Sequence, residues 1–132
     1  CPGRALRWLE TDLRGERDAL VADLDRAEQG GLDELLAAAK RWADGDPAQW
    51  LPLARAWLQD WVRVTVAGPD AARSVLVNAD RAEDLAHRAA SGYGRPAAGL
   101  AGLEALAGSL EGPANLRLAV EDFLLHWREA AP

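Results

Sequence analysis

Apolar positions recur along this chain at helical spacing in one segment after another, and the segments are divided by glycine, proline and Asx residues. Pro2, at a first-turn position, opens a short helix to about Thr11, and Thr11 or Asp12 caps a second that runs to about Gln29 and ends at Gly30-Gly31. A third covers Leu32 to Ala43 and stops at Asp44-Gly45. Asp46 before Pro47 is a cap followed by a proline in the first turn, and predicts a long helix to about Ala67, broken by Gly68-Pro69. On it Trp50, Trp57, Trp61 and Val64 share one face, with Leu53 and Leu58 at its edges, which makes it the central core helix. Residues 68–79 read as a loop whose Val75-Leu76-Val77 packs inward, and Asn78-Ala79-Asp80 starts a helix ending near Ser91. Gly92-Tyr93-Gly94 reads as a turn. Arg95-Pro96 opens a helix to about Leu110, weakened by Gly99, Gly102 and Gly108 at roughly 1 kcal/mol each relative to alanine. Small residues there would let a neighbouring helix approach closely. Gly112-Pro113 leads into the last helix, with Asn115 as an alternative cap.

That last helix is apolar on too many sides for an ordinary surface helix. Leu116, Val120, Phe123, Leu124 and Trp127 lie on one stripe that suits the chain's own core. Leu118 and Leu125 lie off it. Seven residues apart, they stack on a second line beside Arg117, Glu121 and Asp122, as a coiled-coil-like contact with another helix requires. A neighbouring helix of the same chain could equally cover them, and the spacing alone leaves both readings open.

Composition supports an all-α chain with one compact domain of about five to six helices. At 132 residues, 49% of them apolar, there is enough to bury a core. Six tryptophans stand against one Phe and one Tyr, and isoleucine is absent. Tryptophan at helical spacing among Leu and Ala indicates core packing for Trp50, Trp57 and Trp61, with Trp8 and Trp42 less clearly placed. The chain starts at Cys1 and has no Met, so it is expected to be a piece of something longer. A lone Cys leaves no internal disulfide framework or Cys-based zinc site, which fits a reducing cytoplasm. No apolar run approaches the ~20 residues of a membrane span.

A formal charge of −6 argues against direct nucleic-acid binding, because such binding depends on clustered Lys and Arg that release counterions. Of the 15 basic side chains all but Lys40 are arginine. Most sit three or four residues from an acid, as Arg14 does with Asp18 and Arg117 with Glu121, and read as salt-bridged helix faces.

Candidate chemistry is thin. Asp122 with His126 and Glu83 with His87 lie one helical turn apart, where a carboxylate can raise the basicity of an imidazole. No nucleophile or second catalytic group accompanies either pair, so both read as surface pairs. Gly92-Tyr93-Gly94-Arg95 lacks the preceding strand and the Lys-Ser/Thr of a phosphate-binding loop. No catalytic, cofactor-binding or metal-ligating residue is therefore assigned.

Taken together, Pro2-Gly3-Arg4-Ala5-Leu6, Trp57-Leu58-Gln59-Asp60-Trp61, Val77-Asn78 before a helix, and the run from Asn115 to Leu125 resemble the C-terminal part of bacterial DNA polymerase III delta-prime subunits, across nearly the whole chain. The terminal N-x-R-L-x-x-E-x-x-L-L pattern is shared with the gamma/tau subunits of the same clamp loader, and the Pro-Gly-x-Ala-Leu opening favours delta-prime. The resemblance implies that residues 1–12 end a AAA+ lid domain and that 13–132 form an α-helical collar domain. In that family such domains join into a ring that holds the loader together while ATP drives loading of the sliding clamp on primed DNA. It implies a cytoplasmic, non-catalytic oligomerisation piece of the DNA polymerase III holoenzyme, with the gamma/tau and delta subunits as partners and no cofactor. It gives Leu118 and Leu125, with Asn115, Arg117 and Glu121, a purpose as a subunit interface.

The lid helix of motor subunits begins S-x-R-D-A-L, its arginine reaching the nucleotide. Alignment on Ala5-Leu6 puts Gly3 in that arginine's place and turns Arg4 about 100° away, which implies a subunit that does not sense ATP in cis. The competing readings are a gamma/tau collar, a small helical enzyme built on one of the histidine pairs, and a single-strand nucleic-acid binder.

Overall fold

Residues 2–90, 94–110 and 113–131 are described by a computed structural model, with side chains for 12–90, 94–110 and 115–131. Among them the chain is helical and without strands: α1 Pro2–Gln29, α2 Leu32–Asp44, α3 Pro47–Ala67, α4 Pro69–Ala72, α5 Ala82–Ala89, α6 Gly94–Ala107 and α7 Pro113–Glu129. Two 3-10 turns, Arg73–Val75 and Ala79–Arg81, connect α4 to α5. The all-α expectation holds, as do the limits of α2 and α3, whereas α4 lies in a segment expected to be loop and α5 begins at Ala82 rather than at Asn78.

Local chemistry sets the ends. The Asp46 carboxylate accepts the Ala48 N–H at 3.0 Å and Pro47 follows in the first turn, so α3 starts where its cap requires. It stops at Gly68, whose φ of +87° suits a residue without Cβ and whose N–H donates to the Val64 carbonyl at 2.9 Å.

The break expected at Thr11-Asp12 is absent, and α1 runs through it without interruption. Capping residues start a helix only where the preceding backbone leaves it. Between Arg4 and Arg14 there is neither Gly nor Pro, and Thr and Asp inside a helix cost only about 0.5 kcal/mol each. No change of backbone therefore marks the boundary expected after residue 12.

Three helices, α1, α2 and α6, pack around α7, while α3 packs against α1, α5 and α6. The predicted core stripe of α7 is buried throughout, with Val120 and Leu124 fully enclosed. Trp127 is its largest anchor. Its indole N–H donates to the Leu24 carbonyl of α1 at 3.2 Å, and Trp61 of α3 meets it edge-on at 5.7 Å between centroids. The guanidinium of Arg95, from α6, lies 3.9 Å over the ring and donates to the Trp127 carbonyl at 3.0 Å. Close approach of α6 comes from glycine, as expected from its sequence. A Cβ on Gly99 would stand 3.0 Å from the Trp127 ring and 3.1 Å from Leu58, and one on Gly102 would stand 3.1 Å from Phe123. Trp42 and Trp50 stack obliquely at 5.1 Å, and both are buried.

The segment 75–77 departs from expectation. Val75 and Val77 are 60% and 68% exposed, and only Leu76 packs on the core. Backbone at Leu76 is extended, so its neighbours on either side point away from the face it buries. Beside it, the wholly buried Asp60 of α3 accepts the Asn78 N–H at 2.6 Å, the Asn78 amide at 2.8 Å and the Val77 N–H at 3.2 Å. The two short motifs Trp57–Trp61 and Val77-Asn78 are thus joined to each other.

Arginines do more than decorate single helix faces. Arg17 is buried and holds Asp80 through two hydrogen bonds of 2.7 Å, Arg88 grips Asp25 at 2.8 and 2.9 Å, and Arg81 reaches Asp18. Arg14 pairs with Asp80 and not with Asp18, whereas Arg117 does pair with Glu121, at 3.1 Å. These links tie α1 to the 78–88 segment.

The hydrogen bond from Arg17 holds the Asp80 carboxyl below its ordinary value of 3.8, against some opposing burial. Burial would raise Asp84, but the hydrogen bonds of Arg88 and Arg81 outweigh it and its value is also lowered. A carboxylate with a depressed folded-state pKa stabilises the fold above its unfolded value and loses that contribution as pH falls. Urea unfolding should therefore give a stability that is level from neutrality to about pH 5 and declines as pH drops through and below the ordinary carboxylate range. Glycine substitutions should split in sign. Gly15→Ala in α1 meets nothing within 4 Å and should raise stability by roughly 0.5–1 kcal/mol. Gly99→Ala presses on a pinned indole and should lower it by about 1–2 kcal/mol despite its better helix propensity, measured by the same unfolding curves.

Candidate subunit interface

With the core stripe of α7 turned inward, the rotation of about 100° per residue carries Leu118 and Leu125 to the opposite side of the helix. Among the described residues Leu118 is left 63% exposed, and Leu125 is partly covered, at 38% exposed. Of the two readings left open by the spacing, full intrachain cover does not hold among the described residues for Leu118, and holds in part for Leu125.

The other expected interface residues fall around them. Asn115 is exposed at the head of the helix and lines a shallow hollow with Leu118, Ala119, Gly108 and Ser109. Arg117 and the half-buried Glu121 form a pair one turn apart beside the two leucines. An apolar line bordered by an already-satisfied ion pair suits protein contact, because burying it desolvates little uncompensated charge.

A second apolar cluster lies elsewhere on the surface. Leu13 of α1, 46% exposed, meets the half-buried Leu53 of α3 and Val77 around a hollow of about 310 Å³ that Arg14, Arg17, Asn78 and Asp80 also line. Sequence periodicity gave no sign of it, because Val77 was expected inside. The signal that could have found it is the polar demand of Asp60, which fixes the 77–78 backbone and so turns Val77 out.

The histidine pairs stay on the surface. His126 Nδ1 stands 2.8 Å from the Asp122 carbonyl and 3.5 Å from its carboxylate, both side chains being about 70% exposed. Glu83 and His87 are exposed on α5 and no ion pair joins them. Among the described residues no group of three or more His, Cys, Asp or Glu could hold a metal ion, and no helix is long and apolar enough to cross a membrane. Gly92 and Tyr93, Cys1, and the side chains of Arg4 and Trp8 lie outside the described residues. Comparison with protein-family models, with curated proteins and with solved structures returns no match.

Donation to the Asp122 carbonyl, and next the Asp122 charge, raise the His126 imidazole above its ordinary 6.5. Proton NMR should show His126 titrating above that value. Asp122→Asn should lower the midpoint without restoring it fully, since the backbone bond survives. A full return would mean that the carboxylate alone is responsible.

Proposed function

We propose that this chain is the α-helical collar domain of a clamp-loader delta-prime subunit, a non-catalytic scaffold that holds the loader together while ATP-driven modules load the sliding clamp on primed DNA. The observation that carries the reading is α7. Its N-x-R-L-x-x-E-x-x-L-L pattern is split by the fold into a buried stripe and an exposed Leu118–Leu125 line. Two leucines a heptad apart on one outward line fit a contact with another helix better than isolated exposed apolar residues do.

Two further features support it. Asp60 binds Asn78, so residues quoted for the family resemblance form one buried unit. A ring subunit also needs two flanks, and the Leu13, Leu53 and Val77 cluster supplies a second apolar surface besides α7. In this reading gamma/tau and delta subunits are the partners, residues 1–12 belong to the lid of the preceding AAA+ domain, and the protein acts in the cytoplasm. The opening Pro2-Gly3-Arg4-Ala5-Leu6 favours delta-prime over gamma/tau, and Gly3 in the place of the phosphate-reaching arginine fits a subunit that does not sense ATP in cis.

Leu118→Asp with Leu125→Asp tests the interface. Both side chains face outward, so circular dichroism should show an unchanged helix content. Binding to purified motor and delta subunits of the same loader, followed by analytical ultracentrifugation, should be lost. Unfolding of the double variant would place these leucines in the core, and unchanged binding would remove α7 from the interface.

A further inference from the structure

A groove of about 640 Å³ runs between α6 and α7, on a flank of α7 about 100° around from the Leu118–Leu125 line. Its floor is Ala98, Gly102 and Ala105 of α6 with Ala119 and Phe123 of α7. The lining positions recur every three or four residues, from Ala98 to Ser109 on one wall and from Ala119 to Ala130 on the other. At ~1.5 Å per residue each wall is roughly 16 Å long, three helical turns. Floor residues this small let a further backbone come close, and the floor is firm, because Phe123 already presses against Gly102.

The rim carries two exposed carboxylates, Asp122 and Glu129, along the α7 edge; His126 between them stands 3.5 Å from the Asp122 carboxylate and offsets part of their charge when protonated, and no lysine or arginine is among the lining residues. Just past the end of α6, Ser109 is the only polar side chain that this wall adds. A second copy of this chain, itself of net charge −6, is a poor occupant of such a site.

We propose that the α6–α7 groove binds a basic amphipathic helix of another protein, its apolar stripe on the alanine floor and its arginine or lysine side chains against Asp122 and Glu129. Helix-in-groove recognition of this kind uses anchors at i, i+3, i+4 and i+7, which three turns accommodate. The site adjoins the Leu118–Leu125 surface, sharing Ala119 and Ser109 with the hollow beside Leu118, and does not depend on the clamp-loader reading.

Two synthetic helical peptides of about fourteen residues serve as probes, identical in their leucine stripe and flanked by arginine in one and glutamate in the other. Each is titrated into the isotope-labelled chain and followed by amide NMR. The arginine peptide should saturate, with shifts centred on Gly102, Ala105 and Phe123 and smaller ones at Leu118 and Leu125. The glutamate peptide should not. Asp122→Lys with Glu129→Lys, two exposed positions, should weaken the arginine peptide roughly tenfold and admit the glutamate peptide. Failure of the arginine peptide to saturate, equal binding of both peptides, shifts centred on Leu118 and Leu125, or concentration-dependent self-association that occupies the groove would each overturn the proposal. Because Leu118→Asp with Leu125→Asp leaves the groove floor intact and adds acidic charge one turn from Asp122 and Glu129, that variant should bind the arginine peptide at least as tightly as the parent does, whatever becomes of the subunit interface.

Discussion

The seating of Trp127 fixes how the last helix is rotated, and the rest of the surface follows from that rotation. One indole is held by a carbonyl of α1, the edge of Trp61 from α3 and the guanidinium of Arg95 from α6, with Gly99 leaving just enough room. Each contact comes from a different helix, so α7 cannot turn without losing several at once. Arg95 itself is 8% exposed and depends on Glu28, at 2.6 Å, to offset its burial. An α7 locked this way must direct Leu118 and Leu125 outward. Outward leucines on a rigid helix form a contact surface that is shaped before any partner arrives, which reduces the ordering cost of association.

A second constraint is ionic and acts on the other half of the molecule. Arg17, Arg81 and Arg88 reach from one helix to carboxylates on another, and Arg81 and Arg88 also lie over the Trp57 ring at 5.2 and 5.4 Å. Arginine suits this role better than lysine because its planar fork can bind a carboxylate in two places and still stack on an aromatic face. An arginine-rich, lysine-poor chain is therefore using the residue to brace helices that a short, two-turn α5 could not hold by apolar burial alone.

Helix order and the core stripes of α3 and α7 were legible in the sequence because both depend on local spacing and on caps such as Asp46-Pro47. The glycines of α6 were legible for a similar reason, since small residues in a helix announce close packing. What was not legible depends on contacts between residues far apart. The continuity of α1 through Thr11-Asp12 could not be read, because a capping residue inside a helix looks the same as one at its start. Asp60 gave no hint of burial, as its partners Val77 and Asn78 lie well along the chain. Val75 and Val77 were expected inside on hydrophobicity, and it is the extended backbone at Leu76 and the pull of Asp60 that turn them out. Of the candidate interface, the exposed leucines of α7 were visible in the pattern, whereas the Leu13–Leu53–Val77 cluster required the tertiary fold.

The proposed scaffold role asks for rigid flanks, and much of the chain's arginine braces helices against one another. The most direct measurement of that role is native co-purification of the tagged chain from its own cells at moderate salt, with the retained proteins identified by mass spectrometry. Recovery of the clamp-loader motor and delta subunits, lost on charging Leu118 and Leu125, is the expected result. Retention of neither subunit by the folded chain would contradict the collar assignment.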